Sequence, residues 1–324
     1  MLLLLLLLVA AVIASVVLGA RDVPLSAVFA ALSGDTSSVD ASAVSARLPR
    51  AMLGVAVGSA LAVAGVAMQG VTRNPLADPG ILGVLSGASL AVVIGLAFFG
   101  YMAQGTGTIL LAIIGAAIAA AFVYCVGSLG RGGATPLKLA LAGAATSAAI
   151  SSLISAIILP RTEVMDSYRF WQIGSIGGAE WSTLVRAIPV FVIGLLICAA
   201  GAGLLNSLAL GDDVAANLGV NVGAARLGVS IGAVILCGVA TALAGPIGFV
   251  GLIVPHIMRH VVGTDHRWLI PAAGLAGASL LLLSDAVGRL LVRPEDLDVG
   301  VVMPLLGAPL FIWIVRSRKL REIS

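Results

Sequence analysis

The chain has 324 residues, 60% of them hydrophobic and 10% charged, with a mean hydropathy of +1.15. A soluble domain carries roughly 25% charged residues, so this composition excludes a water-soluble protein and leaves an integral membrane protein. The formal net charge of +3 gives no reason to expect a nucleic-acid partner. The apolar runs are too long for barrel strands, and backbone polar groups in lipid must be satisfied within the segment, so the spans are helices.

MLLLLLLLVAAVIASVVLGA opens the chain without a basic leader region and is read as a first, uncleaved span. Residues 21–46 are polar and rich in Ser and Asp, and read as an external loop. Further spans are expected near 50–71, 80–100, 107–129, 137–159, 184–207, 225–244, 247–263, 268–291 and 299–316. That makes about ten in one transmembrane domain, 1–324, with both termini on the same side. The eighth is short and interrupted by Gly245, Pro246, Gly248, Gly251 and Pro255. Basic residues set the orientation. With both termini cytoplasmic, the inner face collects Arg73, Arg131, Lys138, Arg226, Arg259, Arg267 and the Arg316–Arg321 tail, while the outer face carries an acidic excess.

Between the first long spans, the basic strip Arg47-Leu48-Pro49-Arg50 opens the second span. Gln69 precedes a tight polar turn, Arg73-Asn74-Pro75 to Asp78-Pro79-Gly80, where two prolines stop the helix. Between spans six and seven, Gly211-Asp212-Asp213-Val214-Ala215-Ala216-Asn217-Leu218-Gly219 reads as a two-turn helix. Its acids suit the N-terminus and its glycine the C-terminus. So short a helix needs a partner surface or the rest of its loop, 207–224. On spacing alone it is either an interfacial connector or a docking element.

Three histidines, His256, His260 and His266, cluster in and just after the glycine-rich eighth span; the first two share a helix face, as structural residues or as two ligands of a metal. No HExxH-type carboxylate accompanies them, and a structural role is expected. Cys125, Cys198 and Cys237 lie singly in apolar runs and read as small buried hydrophobes. In the fifth span Ser147, Ser151 and Ser155 form one stripe, which either lines a path or bonds back to the helix carbonyls. Met68 and Gln69 are further path candidates. Arg47, Arg50 and Arg289 fall at the outer surface, as snorkelling or docking residues, and Arg289 can pair with Asp285 one turn earlier. Tyr168, Trp171 and Trp181 lie in the external connection 160–183 and suit an aromatic belt at the headgroups.

Taken in order, RLPR (47–50), Gln69, NPLADP (74–79), GDDVAANLG (211–219) and GPIGFVGLIVPHIMR (245–259) closely resemble the FecCD-type permease subunits of bacterial ABC importers for ferric siderophores, haem and vitamin B12. The motifs run from Arg47 to about Val315. The resemblance implies an all-α permease fold of the type II importers, like that of the vitamin B12 importer, with a short external helix in 160–183. It also implies no catalysis by this chain, ATP and Mg held by two separate cytoplasmic ATPase subunits, a second permease copy or a related permease, and an extracytoplasmic substrate-binding protein. It assigns Gly211, Asp212, Asp213, Ala215, Leu218 and Gly219 to ATPase coupling. Arg50 and Arg289, with Arg47 beside them, fall to binding-protein docking. A ferric siderophore is the expected cargo, with haem or cobalamin as alternatives. The family's ELPVG reads Asp296-Leu297-Asp298-Val299-Gly300 here, and Pro304 enters the last span early. An ion-coupled carrier is the competing class. It calls for an ionisable group deep in the membrane, and by this reading only Asp285 lies within a span. An intramembrane enzyme needs a nucleophile–base or metal constellation that the sequence does not display.

Overall fold

A computed structural model describes residues 1–19, 23–34, 37–75, 77–100, 106–129, 136–292 and 295–321. The described chain is helical: α1 (Leu2–Val17), α2 (Leu25–Leu32), α3 (Val39–Thr72), α4 (Val84–Phe99), α5 (Thr106–Ser128), α6 (Pro136–Ile158), α7 (Thr162–Ile173), α8 (Trp181–Ala200), α9 (Ala202–Ala209), α10 (Asp212–Asn217), α11 (Val222–Ala244), α12 (Val250–Val262), α13 (His266–Leu291) and α14 (Val299–Arg321). Each of the ten expected spans has its helix. Six of them are long and apolar enough to cross a membrane by themselves, and α1, α4, α12 and the apolar part of α14 are shorter.

The bundle is built around α3, which packs on α13, α11 and α12. No hydrophobic effect draws helices together in lipid, so close backbone approach supplies the attraction. Gly58 faces the backbone of Gly277 and Gly65 faces that of Gly251, with no room for a Cβ at either crossing. The small-residue faces of these helices are thus buried inside one chain. Around this centre α4, α5 and α6 form a neighbouring group, and α1 lies against α13 and α3.

Three expectations need correcting. The stretch 21–46 is not simply a loop: it holds α2 and the first turns of α3. Ser38 caps α3 by accepting from Ala41 N at 3.1 Å, and Asp40 complements its N-terminus. The RLPR strip therefore lies within the helix, Pro49 included.

The polar turn after α3 does not stay at the end of the bundle. Arg73 closes α3 in the left-handed conformation (φ 50°), and the chain turns back inward. Asp78 then caps a 3-10 turn, Pro79–Leu82, by accepting from Gly80 N at 2.7 Å. Asp78, Pro79 and Gly80 line a small void with Leu61, Cys237 and Gly251. Leu61 lies about 16 Å up α3 from its C-terminus at 1.5 Å per residue. This re-entrant turn brings a second carboxylate besides Asp285 deep into the bundle, which is tolerable because it is enclosed in protein.

Tyr168 and Trp171 do not form an outward aromatic belt. Both are buried, with ring centroids 5.9 Å apart, and Trp171 Nε1 donates to Ala242 O at 3.4 Å. Trp181 alone of the three is exposed.

Candidate docking and coupling sites at the two ends of the bundle

The first end gathers the C-terminus of α1, the early turns of α3 and the C-terminus of α13. The last carbonyls of a helix have no partner within it, and α1 carries no basic residue in its own last turn. Two arginines from other helices supply the missing donors. Arg47 Nη1 donates to Val16 O and Val17 O at 3.0 and 3.1 Å. Arg289 donates through Nη1 to Leu18 O at 2.8 Å, and through Nη2 to Ser15 O at 2.9 Å and Ser15 Oγ at 3.1 Å. Positive charge there also complements the helix dipole.

Asp285 is the hub of this end. Its carboxylate is fully buried, receives Arg289 Nη2 at 3.0 Å, and receives Arg50 through Nη2 at 2.8 Å and Nε at 3.2 Å. Arg50 Nη1 turns the other way, to Asp296 Oδ2 at 2.7 Å. The expected i,i+4 pair of Asp285 and Arg289 is present. The expected convergence of three arginines on an open surface is not: Arg289 is 2% exposed and caps α1, and Arg47 is half-buried on the neighbouring carbonyls of Val16 and Val17. Burial of Asp285 dictates this, since an enclosed carboxylate draws in cations. Arg50 pairs with a carboxylate that reaches solvent, the 39% exposed Asp296.

At the opposite end, Gly211 takes φ 107°, a conformation that favours glycine, and starts α10. The helix closes with Gly219 N donating to Ala216 O at 2.9 Å and Val220 N to Ala215 O at 3.0 Å, with Gly219 at φ 82°. This paired bonding is the Schellman closure. Ala215 is fully buried and anchors the helix. Asp212 Oδ1 accepts from Arg226 at 2.9 Å and Arg73 at 3.2 Å, tying α10 to α11 and to the end of α3. Asp213 points outward, and Val214 and Leu218 are 45% and 62% exposed beside the exposed Leu210. The six coupling candidates thus divide: Gly211 and Gly219 shape the helix, Asp212 and Ala215 hold it, and Asp213 and Leu218 face out.

Sequence reasoning missed the struts behind α10. On α9, Asn206 accepts from His266 N at 2.9 Å, contacts His266 Nδ1 at 2.8 Å and donates to Asp265 at 2.6 Å. Asp265 also accepts from Arg267 N, and these bonds hold its carboxyl below the usual range. Nothing in sequence spacing marks this set, because Asn206 and His266 are far apart in the chain.

The path candidates part company as well. Met68 and Gln69 are buried at the contact of α3 with α12, where Gln69 accepts from Arg259 Nη1 at 2.5 Å and donates to Gly251 O at 3.2 Å. They line no open face of this chain. Ser151 and Ser155 are exposed on α6 with Ser147 half-buried, and Ser155 Oγ bonds back to Ser151 O at 3.0 Å. His260 Nδ1 lies 2.9 Å from His256 O, and among the described residues no three metal-ligating side chains converge.

The profile of the FecCD transport family matches residues 6–317. The chain belongs to the FecCD family. It is 46% identical over 309 residues to the ferric enterobactin transport system permease protein FepD of Escherichia coli K12, covering 94% of this chain and 91% of that one. It is 41% identical to the hemin transport system permease protein HmuU of Yersinia pestis, covering 85% and 84%. A solved ABC transporter structure of the metal-chelate type, in an inward-facing conformation, superposes with a TM-score of 0.82 at 31% identity over 97% of both chains. As a FecCD chain this is a multi-pass inner-membrane permease subunit of an ABC importer, with the type II importer fold.

Proposed function

We propose that this permease moves a ferric siderophore, driven by a separate ATPase pair at the α10 end and loaded by a substrate-binding protein at the Arg50 end. The observation that carries the ATPase assignment is the division of labour on α10. A helix too short to hold itself is pinned by Asp212 and Ala215, while Leu218 and Val214 stay exposed. Apolar side chains held open on a rigid support are what a docking partner buries.

Orientation follows from charge. Arg73, Arg226, Arg259 and Arg267 lie at the α10 end, so the positive-inside tendency puts that end, and both termini, in the cytoplasm. The short helix α7 is then external. ATP and Mg belong to the ATPase subunits and this chain has no chemistry of its own.

The exposed face of α6 supports a second permease copy beside the path. Beside the exposed Leu141 and Leu153 it presents Ala144, Ala148, Ser151 and Ser155, where α5 presents Leu110, Ile114, Ile118 and Phe122. Large aliphatic faces suit lipid, while small ones admit another backbone or a hydrated cargo. For cargo, the 46% identity to a ferric enterobactin permease exceeds the 41% to a hemin permease, which favours the siderophore.

The cargo reading is tested by expressing the permease with its ATPase and binding protein in iron-starved cells that lack their own siderophore permeases. Growth on a ferric siderophore, but not on haem, is the expected result. Growth on haem alone would transfer the assignment to the second cargo.

A further inference from the structure

Arg50 presents two edges with different fates. The Nε–Nη2 edge is closed by fully buried Asp285, whereas Nη1 reaches Asp296 Oδ2 at 2.7 Å on a side chain 39% exposed. Gly177 lies opposite Nη1, and even a Cβ built there would stand 3.5 Å away, so no side chain from that position screens the guanidinium. Asp296 sits just ahead of α14. The first turn of α14 is docked by Gly300 N, which donates at 2.8 Å to the carbonyl of Gly174 at the end of α7. The Arg50–Asp296 pair therefore tethers α3 to the lead-in of α14.

We infer that Asp296 holds the place on Arg50 that a carboxylate of the substrate-binding protein takes on docking. Docking then exchanges an internal ion pair for an intermolecular one and unties the segment that enters α14. The inference rests on the reading that this end docks the binding protein. Its own content is the competitor and the exchange.

Charge supports it. Arg50 holds two carboxylates, Asp285 and Asp296, and shares Asp285 with Arg289. Displacing Asp296 leaves Arg50 with only the shared Asp285, and another anion at Nη1 makes good the lost pair. The displaced pair is the weak one, because half-exposed ion pairs are screened by water and salt. The pair with buried Asp285 is retained, since opening it strands a charge, and it keeps Arg50 aimed outward during the exchange.

The test measures binding-protein affinity for the complete reconstituted transporter, comparing parent, Asp296→Asn, Asp296→Glu, Arg50→Gln and the double variant Arg50→Gln with Asp296→Asn. Removing the competitor should tighten binding by up to about fivefold, the span of one exposed pair. Asp296→Glu should stay near the parent, which controls for folding. Arg50→Gln should weaken binding, and Asp296→Asn should add nothing in that background. If Arg50→Gln weakens binding but Asp296→Asn leaves it unchanged or weaker, docking at Arg50 stands and the exchange is wrong. If Arg50→Gln binds like the parent, the docking reading falls and takes the exchange with it.

Discussion

Asp285→Ala is expected to cost about 3–5 kcal/mol of stability, the range for breaking a buried pair by removing one partner. The carboxylate is fully buried between Arg50 and Arg289, so its loss strands two guanidiniums at once. Arg289 is 2% exposed and cannot turn to water; it remains fixed on the carbonyls of Ser15 and Leu18. Arg50 retains Asp296, so the larger penalty falls on Arg289. Removing both charges tests the pair: Asp285→Leu with Arg289→Met should melt above Asp285→Leu alone despite the second substitution. The readout is the thermal midpoint of the permease in detergent, together with the yield of monodisperse protein. An Asp285→Ala variant that melts with the parent would mean that the cluster is hydrated and contributes little.

The second large effect is functional. Asp213→Lys with Leu218→Asp should abolish uptake while leaving the permease folded. Both positions face out and neither Asp212 nor Ala215 is touched, so the fold loses only a modest dipole contribution of about 0.3–1 kcal/mol. At a docked interface Leu218 contributes about 1.5–3 kcal/mol of apolar burial, roughly 10- to 100-fold in affinity. A carboxylate in its place adds the penalty of a buried, unpaired charge. ATPase activity of the assembled complex should lose its response to loaded binding protein. Uptake at the parent's rate would show that α10 is a connector.

The ten spans were legible because apolar windows of bilayer length are a one-dimensional signal. The α10 segment was legible for a similar reason, since its acids, small residues and closing glycine lie within nine consecutive positions. What escaped depended on distant partners. Arg47 and Arg289 look alike as interfacial cations, yet both cap α1, which lies 30 and 271 residues away along the chain at Val17 and Leu18. Residues 39–46 read as loop because their polar character masks a capped helix start at Ser38. The turn at Arg73–Asp78 carries ordinary breaker residues; that it folds back to the depth of Leu61 follows from room left by Gly251, which no local pattern encodes. Tyr168 and Trp171 had the composition of a membrane belt, but α7 packs on α4 and α6 with both side chains buried, and Trp171 bonds to Ala242 of α11.

The central claim is that the two ends of this bundle take two different partners. Cysteines introduced in turn at Asn217, on the exposed side of α10, and at Gly177, beside Arg50, in a background free of Cys125, Cys198 and Cys237, address each end separately. In the assembled complex a short bifunctional thiol–amine reagent should join Asn217→Cys to the ATPase subunit alone. It should join Gly177→Cys to the substrate-binding protein alone. Cross-links to the same partner from both positions, or the reverse assignment, would contradict the account.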